Sequence, residues 1–68
     1  MRITFLLNGK KYYSNRALNL SDLIKYFNCN AKLFILEYNG LICNKNYWER
    51  ILVSDLDKIE IVTIVGGG

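Results

Sequence analysis

The hydrophobic positions of this chain change period repeatedly, and each change marks an element. Ile3, Phe5 and Leu7 alternate with Arg2, Thr4 and Leu6, the period of two that gives a strand one buried face. Asn8-Gly9 follows, a pair that supplies the positive φ angles of a tight hairpin, so Lys11 to Ser14 is expected to return as a second strand. The period then lengthens. Leu20, Leu23, Ile24 and Phe27 fall at i, i+3, i+4 and i+7, one apolar stripe of a helix. Asn19 suits the N-cap, Asp22 puts a carboxylate in the positive first turn, and Asn28 to Asn30 supply residues tolerant of the left-handed conformation beyond a helix end. A third strand, Leu33 to Tyr38, leads to a second Asn-Gly turn at Asn39-Gly40 and a short strand at Leu41-Ile42. Asn44 to Arg50 reads as a loop or short helical turn anchored by Tyr47 and Trp48. Ser54-Asp55-Leu56-Asp57 has the composition of a surface turn. A closing strand spans Ile59 to Ile64, with Ile59 and Ile61 on one face and Glu60 and Val62 on the other.

The order is therefore hairpin, helix, strand, short strand, strand. A single helix has to cover one face of a mixed sheet, because nothing else in so short a chain can bury that face. The expected class is α+β, a ubiquitin-like β-grasp: a mixed sheet of four to five strands with one helix packed across it. Alternation puts Ile3, Phe5, Phe34, Leu36, Tyr38, Ile59 and Ile61 toward the helix. It leaves Leu6, Ile35, Val62 and Ile64 on the outer face, an apolar group with no second helix to cover it and a candidate docking patch for a partner protein.

Bulk composition narrows the chemistry. At 68 residues and 51% apolar content there is material for one marginal core and no sign of wholesale disorder. No apolar run approaches the roughly 20 residues that span a bilayer, and the opening residues are too short and too soon interrupted for a secretory signal. A soluble intracellular protein is expected. Cys29 and Cys43 show no CxxC spacing and histidine is absent, so no metal site is expected and both thiols read as inert. Without histidine or a nucleophile-elbow motif there is no nucleophile–base pair, and Asp55 and Asp57 read as turn residues, not as paired catalytic carboxylates. The net charge of +3 is spread along the chain, with Lys10-Lys11 the one adjacent basic pair. That balance suits an acidic partner surface but is too weak to argue for nucleic acid, even with Tyr12 and Tyr13 beside the lysines. The wealth of Asn, Lys, Ile and Tyr fits an AT-rich coding genome, a bacterial cytoplasm or the stroma of a plastid that encodes the chain itself.

The chain closes on Val65-Gly66-Gly67-Gly68. Glycine lets a backbone pass through a channel too narrow for any side chain. Residues 1–64 read as one domain, and 65–68 as a flexible tail that presents its own carboxylate. Taken with Asn39-Gly40 before Leu41-Ile42, Trp48, the Asp55-Leu56-Asp57 turn and the run Ile59 to Gly68, this ending resembles the sulfur carrier proteins of thiamine biosynthesis (ThiS-like) over the whole chain. Two positions depart from that family: Leu56 stands where a glycine usually separates the aspartates, and Asn44 where proline is common.

The resemblance implies a protein co-substrate, not an enzyme. A ThiF-like adenylating enzyme would use ATP to activate the Gly68 carboxylate. A sulfur donor such as a cysteine desulfurase would convert it to a thiocarboxylate, and a ThiG-like thiazole synthase would take the sulfur. The carrier itself would bind no cofactor and no metal, and would work as a monomer with Ile64, Val65, Gly66, Gly67 and Gly68 entering the partner sites. The alternatives are a carrier like the small subunit of molybdopterin synthase, a ubiquitin-like modifier, and a passive binding module built on the Lys10–Tyr13 hairpin.

Overall fold

A computed structural model describes residues 2–27 and 34–63. Among these, five strands form one sheet in the order β2-β1-β5-β3-β4: β1 Ile3–Leu7, β2 Lys10–Ser14, β3 Phe34–Tyr38, β4 Leu41–Ile42 and β5 Lys58–Thr63. Neighbours are antiparallel except for β1 and β5, which run parallel with Leu6 opposite Lys58 and Leu7 opposite Ile59. The single helix α1, Leu20–Tyr26, lies across one face. This is the β-grasp arrangement that the element order predicts, with all five strands present.

Both Asn-Gly pairs form two-residue hairpins with positive φ at each position, 51° and 82° at Asn8-Gly9, 52° and 86° at Asn39-Gly40. Those angles match the twist of the flanking strands, which is why the hairpins close where the sequence places them. The helix starts on a reciprocal capping box. The Asp22 N–H donates to Asn19 Oδ1 at 2.7 Å and the Asn19 N–H to Asp22 Oδ2 at 3.1 Å. Two further N–H groups of the first turn are taken up by the 48–53 loop, Leu20 by the Ile51 carbonyl and Ser21 by the Trp48 carbonyl. Seven residues are too few for a helix to hold itself in water, so packing holds it. Leu20 and Leu23 are essentially inaccessible and meet Phe5, Leu36 and Ile59 in a core that Ile3, Leu7, Trp48 and Val53 complete. The seven strand positions expected to face the helix all do so, four of them buried and two of those, Leu36 and Ile59, fully.

Several local expectations need correction. Tyr47 does not anchor its loop; it ends a 3-10 turn over Lys45–Tyr47 and stands exposed, while Trp48 alone is buried, stacked on Phe34 at 5.4 Å with its indole N–H on the Cys43 carbonyl. Asp57 is not a surface residue. Its carboxylate accepts from the Tyr38 hydroxyl at 2.6 Å, the Ser54 N–H at 2.7 Å and Asn39 Nδ2 at 3.1 Å. The helix stops at Tyr26 with Phe27 as its C-cap, and the residues expected to end it, Asn28 to Asn30, lie outside the described segments, as do Leu33 and Cys29. The closing strand begins one residue early, at Lys58.

Candidate functional site

The strand that leads toward the terminal glycines is the central one. A strand bonded on both sides is the least compliant part of a sheet, and three side chains stiffen β5 further. The Asn39 side chain accepts from the Lys58 N–H at 2.8 Å, at the start of the strand. Asn8 Oδ1 accepts from the Ile61 N–H at 2.7 Å, just where β1 has turned away. Asp57, locked as described, fixes the entry. The asparagines of the two hairpins therefore do a second task that a reading for turn residues alone does not reveal. A short polar side chain at positive φ is aimed sideways, toward the neighbouring strand.

Past Ile61 the strand keeps one described partner, β3, through Ile35 opposite Val62 and Phe34 opposite Thr63. Ile35 and Val62 are thus brought together on the outer face as expected, and Val62 is 46% exposed. Ile42 stands nearby on the same face, opposite Glu37 and 72% exposed, a contribution that the alternation argument missed because β4 is only two residues long. On the core side of this corner, Phe34 and Trp48 line a shallow recess of about 330 Å³.

Leu6 is not part of that group. It pairs with Lys11 on one side and Lys58 on the other, four residues of β5 away from Val62, or about 13 Å along the strand. Between the two apolar spots Glu37 and Glu60 sit directly opposite each other. Like charges in that position weaken a sheet. The outer face therefore reads as an apolar corner at the glycine end, an acidic middle and a basic far end. The remaining tail positions, Ile64, Val65, Gly66, Gly67 and Gly68, lie outside the described residues.

Tyr12 and Tyr13 point to opposite faces, Tyr12 toward Phe5 and Phe27 and Tyr13 under the Arg2 guanidinium at 4.1 Å, so they do not form one stacking platform. Burial pushes the half-buried Cys43 thiol up, away from the reactive thiolate. Among the described residues there is no cluster of metal-ligating side chains, and no helix long and apolar enough to cross a membrane.

Comparison with known proteins bears on this geometry. The family model described as the ThiS family matches residues 5–68, through the last glycine. The protein ycf40 of Trieres chinensis is 58% identical over 65 residues, covering 96% of this chain and 89% of its own. The sulfur carrier protein ThiS of Bacillus subtilis (strain 168) is 35% identical over 63 residues, covering 91% of this chain and 96% of its own. Among solved structures, the thiamine biosynthesis protein ThiS of Geobacter metallireducens superposes with a TM-score of 0.82 at 25% identity, over 97% of this chain and 100% of that one.

Proposed function

The chain belongs to the ThiS family of small β-grasp sulfur carriers, and from that premise we propose that its Gly68 carboxylate is adenylated and converted to a thiocarboxylate that supplies sulfur for thiazole synthesis. The observation that carries the reading is a family match running from the first strand through Gly68, on a fold whose central strand leads to that glycine.

The chemistry asks no catalytic group of the carrier, only a carboxylate that can reach a partner's site. A carboxylate resists attack because its charge is shared by both oxygens. Its attack on the α-phosphorus of ATP, in the active site of a ThiF-like enzyme, releases pyrophosphate and leaves a neutral acyl group bearing AMP. The persulfide of a donor such as a cysteine desulfurase then attacks the acyl carbon and AMP departs, and a second thiol, as two-electron reductant, splits the resulting acyl disulfide to leave the thiocarboxylate and a disulfide. The reactive acyl group survives only where water is excluded, which calls for a narrow tail that reaches inward. Ile64 to Gly68 span about 17 Å when extended, at roughly 3.3 to 3.6 Å each. Ordering them costs about 1 to 2 kcal/mol per residue. The Ile35–Val62 corner with Ile42 is placed to offset that cost by docking on the activating enzyme and on a ThiG-like thiazole synthase. The carrier acts as co-substrate, monomeric, in a bacterial cytoplasm or plastid stroma.

An intact-mass spectrum of the protein made together with its partners tests this. The expected result is a mass gain equal to one oxygen exchanged for sulfur, absent when Gly68 is deleted. An unmodified mass with ATP and an activating enzyme present, or AMP transfer to the Gly68-deleted chain, overturns it.

A further inference from the structure

The proposed carrier chemistry uses the central strand and leaves the β2 side of the molecule without a task. Among the described residues β2 pairs with β1 alone, so its other side is a strand edge. The two-residue hairpin makes Leu7–Lys10 a pair that exchanges both hydrogen bonds, and the pattern alternates from there. The backbone N–H and C=O groups of Lys11 and Tyr13 consequently point away from β1 and bond to no other described residue. An exposed edge of this kind is a template for another strand. Beside it, between the inner face of β2 and α1, opens a cleft of about 610 Å³ lined by Tyr12, Ser14, Arg16, Leu23, Tyr26 and Phe27. Its wall is aromatic: Tyr12 meets Phe27 edge-on at 4.9 Å and Phe27 meets Tyr26 edge-on at 5.1 Å. Tyr26 is 80% exposed, a large aromatic surface that, among the described rings, meets only Phe27.

Charge selects among the possible occupants. Residues 2–27 carry five basic side chains, Arg2, Lys10, Lys11, Arg16 and Lys25, against the single carboxylate of Asp22, whereas residues 34–63 carry three basic side chains and five carboxylates. Asp22 lines the cleft, but one of its oxygens already accepts from the Asn19 N–H. The edge and cleft thus lie in the positive part of a chain whose other part is negative.

We propose that the free edge of β2 and the cleft between β2 and α1 dock an extended, acidic segment of a partner protein, added to the sheet as a sixth strand. Main-chain bonds to Lys11 and Tyr13 align the segment, alternate apolar side chains enter the cleft against Tyr12 and Tyr26, and its carboxylates meet Lys11 and Arg16. Because β5 lies two strands away, such docking leaves the C-terminal route free. The site does not depend on Gly68.

The test uses the full chain labelled with 15N and a capped octapeptide, Asp-Ile-Val-Ile-Val-Glu-Glu-Asp, beside a version with lysine at every acidic position. The expected result is saturable shifts of the Lys11, Tyr13 and Tyr26 amides with the acidic peptide, unchanged when Gly68 is deleted. The lysine peptide, and the acidic peptide on a Lys11→Glu/Arg16→Glu double variant, should each bind about tenfold more weakly, two rim charges at roughly 0.7 kcal/mol apiece. Tyr26→Ser should weaken binding about fivefold without moving the thermal midpoint, since that ring is largely in water. No saturable shift at millimolar peptide, equal binding of the two peptides, or shifts confined to β4 and the outer face overturn the proposal. So does tighter binding of an oligothymidylate to the same edge, which would make this surface a nucleic-acid contact.

Discussion

Among the described residues the chain takes up positive φ outside glycine at three places, and they are not alike. Asn8 and Asn39 sit in hairpins at φ of 51° and 52°, a conformation asparagine tolerates, and each spends its side chain on a β5 N–H. Leu56 sits at φ 70°, where a leucine's Cβ crowds its own carbonyl, and its side chain is 79% exposed and makes no compensating bond. The hairpins are local solutions, written into a dipeptide. The 54–57 turn is imposed from outside. The Thr4 N–H donates to Asp55 Oδ1 at 2.7 Å, the Leu56 N–H to the Thr4 carbonyl at 2.6 Å, the Leu6 N–H to the Asp57 carbonyl at 2.9 Å, and Asp57 holds Tyr38, Ser54 and Asn39. Tertiary bonds over-determine the turn and oblige a poor residue to adopt it. The lesson is that an unfavourable backbone can be stable when its neighbours, not its own side chain, supply the reason.

The sharpest way to break the comparison is to remove the outside support. Asp57→Ala strands three donors in a half-dry site and should destabilise by about 3 kcal/mol, read by chemical denaturation; a loss well below 1 kcal/mol would mean the turn holds itself. The same carboxylate leaves a signature in pH. Burial first, and then the bond to Asp57, push the Tyr38 hydroxyl up to about 12. A folded pKa above the unfolded value favours the fold while the group is protonated. Stability should therefore be flat below pH 10 on this account and fall between pH 10 and about 12. In Asp57→Asn the ultraviolet titration of Tyr38 should move back toward 10 without reaching it, because burial, the larger cause, remains.

Removing the local devices should have smaller effects. Asn8→Ala loses the acceptor for the Ile61 N–H and a residue suited to positive φ, about 1.5 kcal/mol together, with amide exchange at Ile61 rising more than at Leu36. If exchange rises equally across the sheet, the bond is not local. Leu56→Gly should do the opposite and raise stability by up to about 1 kcal/mol, the relief of left-handed strain less the greater freedom glycine gives the unfolded chain. A destabilised Leu56→Gly would mean the exposed leucine packs in a way the structure does not contain. Smallest of all, Glu60→Thr removes a like-charged cross-strand pair and should add about 0.5 kcal/mol.

The same contrast explains what the sequence made legible. Alternation and the helical stripe identified the elements and the face each buries, because Leu20, Leu36 and Ile59 belong to local patterns. The Asn-Gly pairs announced their turns. The role of Asp57 was hidden, since its partners Tyr38 and Asn39 are 19 and 18 residues away and a turn-like Ser-Asp-Leu-Asp run reads as solvated. Tyr47 and Trp48 are indistinguishable in a string, yet one is buried and the other is not, a matter of which way a 3-10 turn rolls. For the candidate site, Ile35 with Val62 followed from parity alone, whereas separating Leu6 from them needed the offset between β1 and β5, which no periodicity encodes.

The position of β5 also orders events at the ribosome. The β1–β2 and β3–β4 hairpins are made from neighbouring residues and can form as they emerge, but they share no border with each other. The strand that joins them is synthesised after both, and its contacts with β1 close a loop of about 50 residues, the slow kind of contact to make. Until residues 58–63 are out, the nascent chain is two hairpins and a short amphipathic segment with its core faces open. Closing the sheet and the arrival of the strand that leads toward Gly68 are then one event, so a folded sheet is itself a record that residues 58–63 have been made.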